Sequence, residues 1–124
     1  MDYETAMKVE NGEMPDDYYR VANDERELAA IIEEWHYGGG TIAKDTKAGH
    51  GFCFGRTESG KWYFATDDVL DDDEERDNPD FHEATYDTAL EGVRDFKVNG
   101  KPLIEAVRGC RIAFHGDIPL VYPD

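Results

Sequence analysis

The sequence predicts an α+β protein: a small, mostly antiparallel sheet of about four strands, with two to three helices packed on one side. Three observations lead there. Leu28, Ile31, Ile32 and Trp35 recur at helical spacing, as do Tyr86, Ala89, Leu90 and Val93. Phe52 and Phe54 alternate with Cys53, and Trp62 and Phe64 with Tyr63, which is the period of a strand with two distinct faces. The elements read in the order β-α-β-β-β-α-α-β, which suits an antiparallel sheet better than βαβ crossovers. With 124 residues the chain has room for one ordinary hydrophobic core, so residues 1–124 read as a single domain.

In chain order, Asn11-Gly12 and Pro15 are turn signals, so a first helix over Tyr3 to Val9 is short. Tyr18 to Ala22 reads as a brief strand or an extended lead-in. Asn23 or Asp24 can cap the next helix, and Asp24 with Glu27 resembles a capping box. Asp24, Glu25 and Glu27 place negative charge at the positive end of its dipole, and Gly38-Gly39-Gly40 is expected to end it. Thr41 to Ala43 then opens a strand. A hairpin follows: Gly51 to Thr57, a turn at Glu58-Ser59-Gly60, then Lys61 to Thr66, with aromatic residues on both strands. A further helix is expected from Thr85 or Tyr86 to Asp95, with Gly92 as its weak spot. Asn99-Gly100 suits either a hairpin turn or a link into a third helix. The link is preferred, with Pro102 at the first helical position, Leu103, Ile104 and Val107 facing inward, and Gly109 as the stop. Cys110 to His115 reads as a closing strand and Ile118 to Tyr122 as an extended tail.

The one extreme quantity is charge. The formal net charge is −16, and it is local. Residues 1–34 carry eleven acids against three bases, and residues 67–80 carry nine acids against Arg76 alone. Each segment thus contributes −8, and the remaining 76 residues balance nine acids with nine bases. An evenly acidic, solubility-driven composition would spread this charge. The excess argues against direct nucleic-acid binding, because phosphates require Lys and Arg, and in favour of a basic protein or nucleoprotein partner. Like charges this dense, broken by Asn78-Pro79, predict an exposed loop over 67–80.

Catalytic and metal motifs are absent. The four histidines show no HxH or HxxxH spacing and the two cysteines no CxxC, so no zinc site is expected. Asp71, Asp73, Glu75 and Asp77 alternate like a calcium loop, but Arg76 stands where an EF-hand needs Gly and His82 where it needs Glu. Ser59-Gly60-Lys61 is followed by Trp62 where a phosphate-binding loop requires Ser or Thr. No cofactor is expected. Asp67 and Asp68 are a carboxylate pair that reads as a solvated strand end. Cys53 with His115, or Cys110 with His50, would form a thiol–imidazole pair only if the strands lie side by side. Both cysteines otherwise read as buried, reduced thiols of a cytoplasmic protein. No apolar run reaches the roughly 18 residues of a membrane span, and no secretory leader is expected.

Acidic stretches flanked by aromatics therefore carry the functional expectation. Carboxylates steer a basic partner and tyrosines supply contact area. The expected partner-binding residues are Asp71, Asp72, Asp73, Glu74, Glu75 and Asp77, joined by Asp16, Asp17, Tyr18 and Tyr19. The expected function is non-enzymatic: inhibition of a basic, nucleic-acid-handling partner by a nucleic-acid-like array of carboxylates. Phage-encoded anti-CRISPR and anti-restriction inhibitors work this way, and the likeness is one of size and charge. The alternatives are an immunity protein or antitoxin that neutralises a toxin, and a small enzyme built on Asp67 and Asp68 or on a Cys–His pair.

Overall fold

A computed structural model of the chain describes residues 3–43, 51–67, 83–98, 100–116 and 121–122. It has four α-helices, α1 (Tyr3–Glu10), α2 (Glu25–Trp35), α3 (Ala89–Asp95) and α4 (Leu103–Val107). The strands are β1 (Gly38–Ile42), β2 (Gly51–Thr57), β3 (Trp62–Asp67), β4 (Glu83–Tyr86), β5 (Lys97–Val98), β6 (Lys101–Pro102), β7 (Ile112–His115) and β8 (Val121–Tyr122). Five strands form an antiparallel sheet in the order β4-β3-β2-β1-β7, one more than the sequence suggests. β8 adds a short parallel pairing to the far end of β2, and β5 and β6 make a separate two-stranded ribbon. The α+β class with a mostly antiparallel sheet is thus as expected.

Strand alternation sorts the sheet into two faces. Phe52, Phe54, Trp62, Phe64, Ile112 and Phe114 point to one side, where α2, α3 and α4 close over them to form the main core. Aromatic rings knit this core: Phe64 lies 5.8 Å from both Phe96 and Tyr86, and Phe52 meets Phe114 edge-on at 6.2 Å. An exposed ion pair, Arg94 to Glu25 at 2.7 Å, joins α3 to α2. On the opposite face α1 sets Val9 in a smaller cluster with Ala43, Ala113 and Tyr19.

Several elements differ from their sequence expectation, each for a non-local reason. α2 ends at His36, which adopts φ 65° while its N–H still bonds Ile32 O at 2.9 Å. The three glycines then belong to β1 itself. A Cβ at Gly40 would stand 2.7 Å from the Phe52 ring, so only glycine lets the strands and their aromatic neighbours come this close. Glu83–Tyr86 is a strand rather than the start of a helix: it pairs with β3, Tyr86 opposite Trp62. α3 begins later, capped by Thr88, whose hydroxyl accepts from Glu91 N at 3.1 Å. Around Gly100, at φ 78°, the chain makes both the small ribbon and the helix that follows it. The extended lead-in over 18–22 is instead a 3-10 turn at Asp16–Tyr18 followed by a single bridge, Arg20 to Ile112. The expected loop over 67–80 lies outside the described residues from 68 onward.

Candidate functional site

The segment Asp16–Ala22 is built by alternate anchoring. The 3-10 turn closes with Tyr18 N–H donating to Pro15 O at 2.9 Å. Tyr19 then turns inward, only 7% exposed, and its hydroxyl donates to Val9 O at 2.9 Å. The Arg111 guanidinium covers the outer face of that ring at 4.2 Å and reaches Asp16 at 3.5 Å. Arg20 exchanges two backbone hydrogen bonds with Ile112, at 2.7 and 2.9 Å, and Ala22 enters the main core. What lies between these anchors must face out. Tyr18 is 37% and Val21 47% exposed, and they are the exposed large hydrophobic residues among those described.

Beside this segment runs an open groove against α2, lined by Arg20, Val21, Glu27, Ala30, Ile31 and Glu34. Its floor is apolar and its rim carries two carboxylates and one guanidinium. Arg20 and Glu34 are 4.0 Å apart and largely solvated, so they pair only loosely. Asp16, Asp17 and Asp24 are exposed on the same stretch of chain. Tyr18, Asp16 and Asp17 are therefore presented together on a rigidly held edge, while Tyr19 holds that edge in place. Val21 escapes sequence reasoning, because its outward turn depends on the Arg20–Ile112 bridge. Asp71, Asp72, Asp73, Glu74, Glu75 and Asp77 lie outside the described residues.

The second candidate constellation lies on the sheet face opposite the main core. Gly39 pairs with Cys53 on one side and with His115 on the other. All three positions alternate with core aromatics, so they share this face. Thr41 follows on the same face and is 3% exposed. Thr41 Oγ1 and His115 Nε2 are the buried side-chain polar atoms that lack a hydrogen-bond partner among the described residues. Leaving such a group unsatisfied costs about 1–3 kcal/mol each, and two at neighbouring register positions call for a reason. Tyr63 donates a short hydrogen bond to Glu83 further along the face. The chain's cysteines form no disulfide, and Cys110 is buried with its thiol 3.7 Å from Ala106 O. No group of three or more metal-binding side chains occurs among the described residues, and no described helix is long and apolar enough to cross a membrane. Comparisons with protein-family models, with curated proteins and with solved structures found no match.

Proposed function

We propose that this chain is a non-enzymatic acidic binding protein that docks on a basic, nucleic-acid-handling partner and blocks its nucleic-acid surface. The observation that carries this reading is the placement of the exposed apolar residues. Tyr18 and Val21 stand on the one short segment that also exposes Asp16 and Asp17, beside a groove rimmed by Glu27 and Glu34. Carboxylates around an aromatic anchor are what a basic groove recognises: charge directs the encounter and the ring supplies buried contact. The acidic segment 67–80 belongs to the same reading through its charge of −8. Within this class the proposal is an inhibitor of host defence of the anti-CRISPR or anti-restriction kind, acting in the cytoplasm, for which size and net charge speak.

The test is capture of partners from host lysate by the tagged protein at low and high salt, beside two variants. One carries Asp16→Lys, Asp17→Lys and Tyr18→Ala. The other reverses Asp71, Asp72, Asp73 and Glu74 to Lys. A basic nucleic-acid-binding protein is expected at low salt only, because charges are screened over about 8 Å at 0.15 M ionic strength. Each variant is expected to lose it while folding normally. Capture that survives both variants and high salt would count against the proposal.

A further inference from the structure

We propose that Cys53, His115 and Thr41 form a chemical site on the sheet face opposite the main core, in which Cys53 is a nucleophilic thiol, His115 its base and Thr41 a hydrogen-bond donor to the bound electrophile. The argument starts from register. His115, Gly39 and Cys53 are consecutive partners across three strands, so thiol and imidazole stand on either side of a residue that has no side chain. The ring occupies that space. His115 Cε1 and Nε2 lie 2.9 and 3.1 Å from where a Cβ on Gly39 would be. The imidazole therefore reaches over β1 from β7 in the direction of β2, and the nitrogen at its tip has no protein partner among the described residues. Cross-strand Cβ positions are about 4.5–5.5 Å apart, which brings Cys53 within reach of that nitrogen.

Thr41 is the independent observation. Its hydroxyl is buried and unpartnered, two residues along β1 from Gly39 and diagonal to both Cys53 and His115. Valine would fill the same volume without the desolvation cost, so a hydroxyl kept here is suited to a ligand. The surrounding positions of this face are small: Gly51, Gly55, Ala65 and Ala113 leave space above the strands. Cys53 is only half-buried, which admits a reagent.

The ligand class is a compact carbonyl electrophile, an ester or thioester. The thiol proton passes to His115 Nε2, and the thiolate adds to the carbonyl carbon. The C–S bond forms while the carbonyl π pair moves to oxygen, where the Thr41 hydroxyl donates to it. Collapse of the adduct expels the alkoxide or thiolate, which takes the proton from His115 and leaves an acyl group on Cys53. Water then releases the acid. The other titratable groups on this face are Tyr63 and Glu83, hydrogen-bonded to each other and separated from Cys53 by Ala65, with Asp67 at the β3 position paired with Gly51. α1 brings exposed Glu4 and Lys8 to the β1 side. The carboxylates oppose thiolate formation, so His115 has to supply the activation.

The full chain with Cys110→Ala serves as a single-thiol protein. Its alkylation by iodoacetamide, in which sulfur displaces iodide, is followed by mass spectrometry across pH. An ordinary thiol, with a pKa of about 8.5, is only about 3% ionised at pH 7. Cys53 is expected to react at least about tenfold faster than that at pH 7, with an inflection below the ordinary value. His115→Ala, or His115→Gln if the alanine variant melts early, is expected to remove this advantage. Acetylation of Cys53 by p-nitrophenyl acetate is expected to slow in Thr41→Val, with alkylation unchanged. A Cys53 pH profile of an ordinary thiol, unmoved by either His115 variant, would overturn the proposal.

Discussion

Gly92 shows how a single residue can carry opposite meanings in sequence and in space. Within a helical stripe it is a weak spot, about 1 kcal/mol worse than Ala. In the fold it is the point where α3 presses on β3, and a Cβ there would overlap the Phe64 ring. Phe64 is fully buried and cannot swing aside. Overpacking of about 1–3 kcal/mol therefore outweighs the helix gain. Gly92→Ala is expected to lower stability by about 1–2 kcal/mol in denaturant unfolding; a stabilised variant would mean that the core yields at Phe64. Tyr86 offers a second residue-level expectation. Burial pushes its phenol up to about 12, helped by donation to Asp95 Oδ2 at 2.9 Å and by that carboxylate's charge. The raised value means that the folded state holds the proton more tightly. Its contribution to stability is complete below pH 10 and is lost as pH rises from 10 toward 12. A phenolate absorbance titration of the folded protein should show one late tyrosine that disappears in Tyr86→Phe.

α2 is the element most legible in the sequence, because both its cap and its apolar stripe are local. Asp24 Oδ1 accepts from Glu27 N at 2.8 Å, and Glu27 Oε2 accepts from Asn23 N at 2.8 Å. The reciprocal pair expected from Asp24 and Glu27 forms, with its return bond one residue earlier than in the usual box. Asp24→Ala is expected to cost about 1 kcal/mol in thermal unfolding. The Glu25–Arg94 pair across α2 and α3 has no sequence signal at all. The Arg94 hydrogen bond, aided by its charge, holds the Glu25 carboxyl below its ordinary 4.5. The pair therefore supports the fold above that pH, and its support fades as pH falls through the lowered value. The Glu25 carboxyl signal in an NMR titration should sit below 4.5 and return there in Arg94→Gln. β4 shows the converse of α2. Tyr86 fits a helical stripe, yet the open edge of β3 recruits Glu83–Tyr86 as a strand and leaves Thr88 to cap the helix.

At the scale of the whole molecule, charge and packing divide the labour. The helices α2, α3 and α4 bury one sheet face, and the opposite face keeps small residues, a thiol and an imidazole. Acidic charge gathers in the N-terminal third and in residues 67–80. If docking is electrostatic, affinity for a basic partner should fall steadily between low and physiological salt. Salt-insensitive binding would instead point to the Tyr18–Val21 apolar edge as the main contact.

By itself the sequence determined the α+β class, the Gly51–Thr66 hairpin, the capped α2 helix and the two acidic segments. Each of these is written in periodicity, capping or charge within a few consecutive residues. Only the tertiary structure decided that Tyr18 faces out while Tyr19 is held by Val9 and Arg111, and that Gly38–Gly40 is a strand. It alone set Cys53 and His115 on either side of Gly39. Cys53 and His115 are 62 positions apart in the sequence, and only the register of three strands brings them to one face. Pairing of that kind follows from which strand edges remain open after the core has closed, and no local pattern records it.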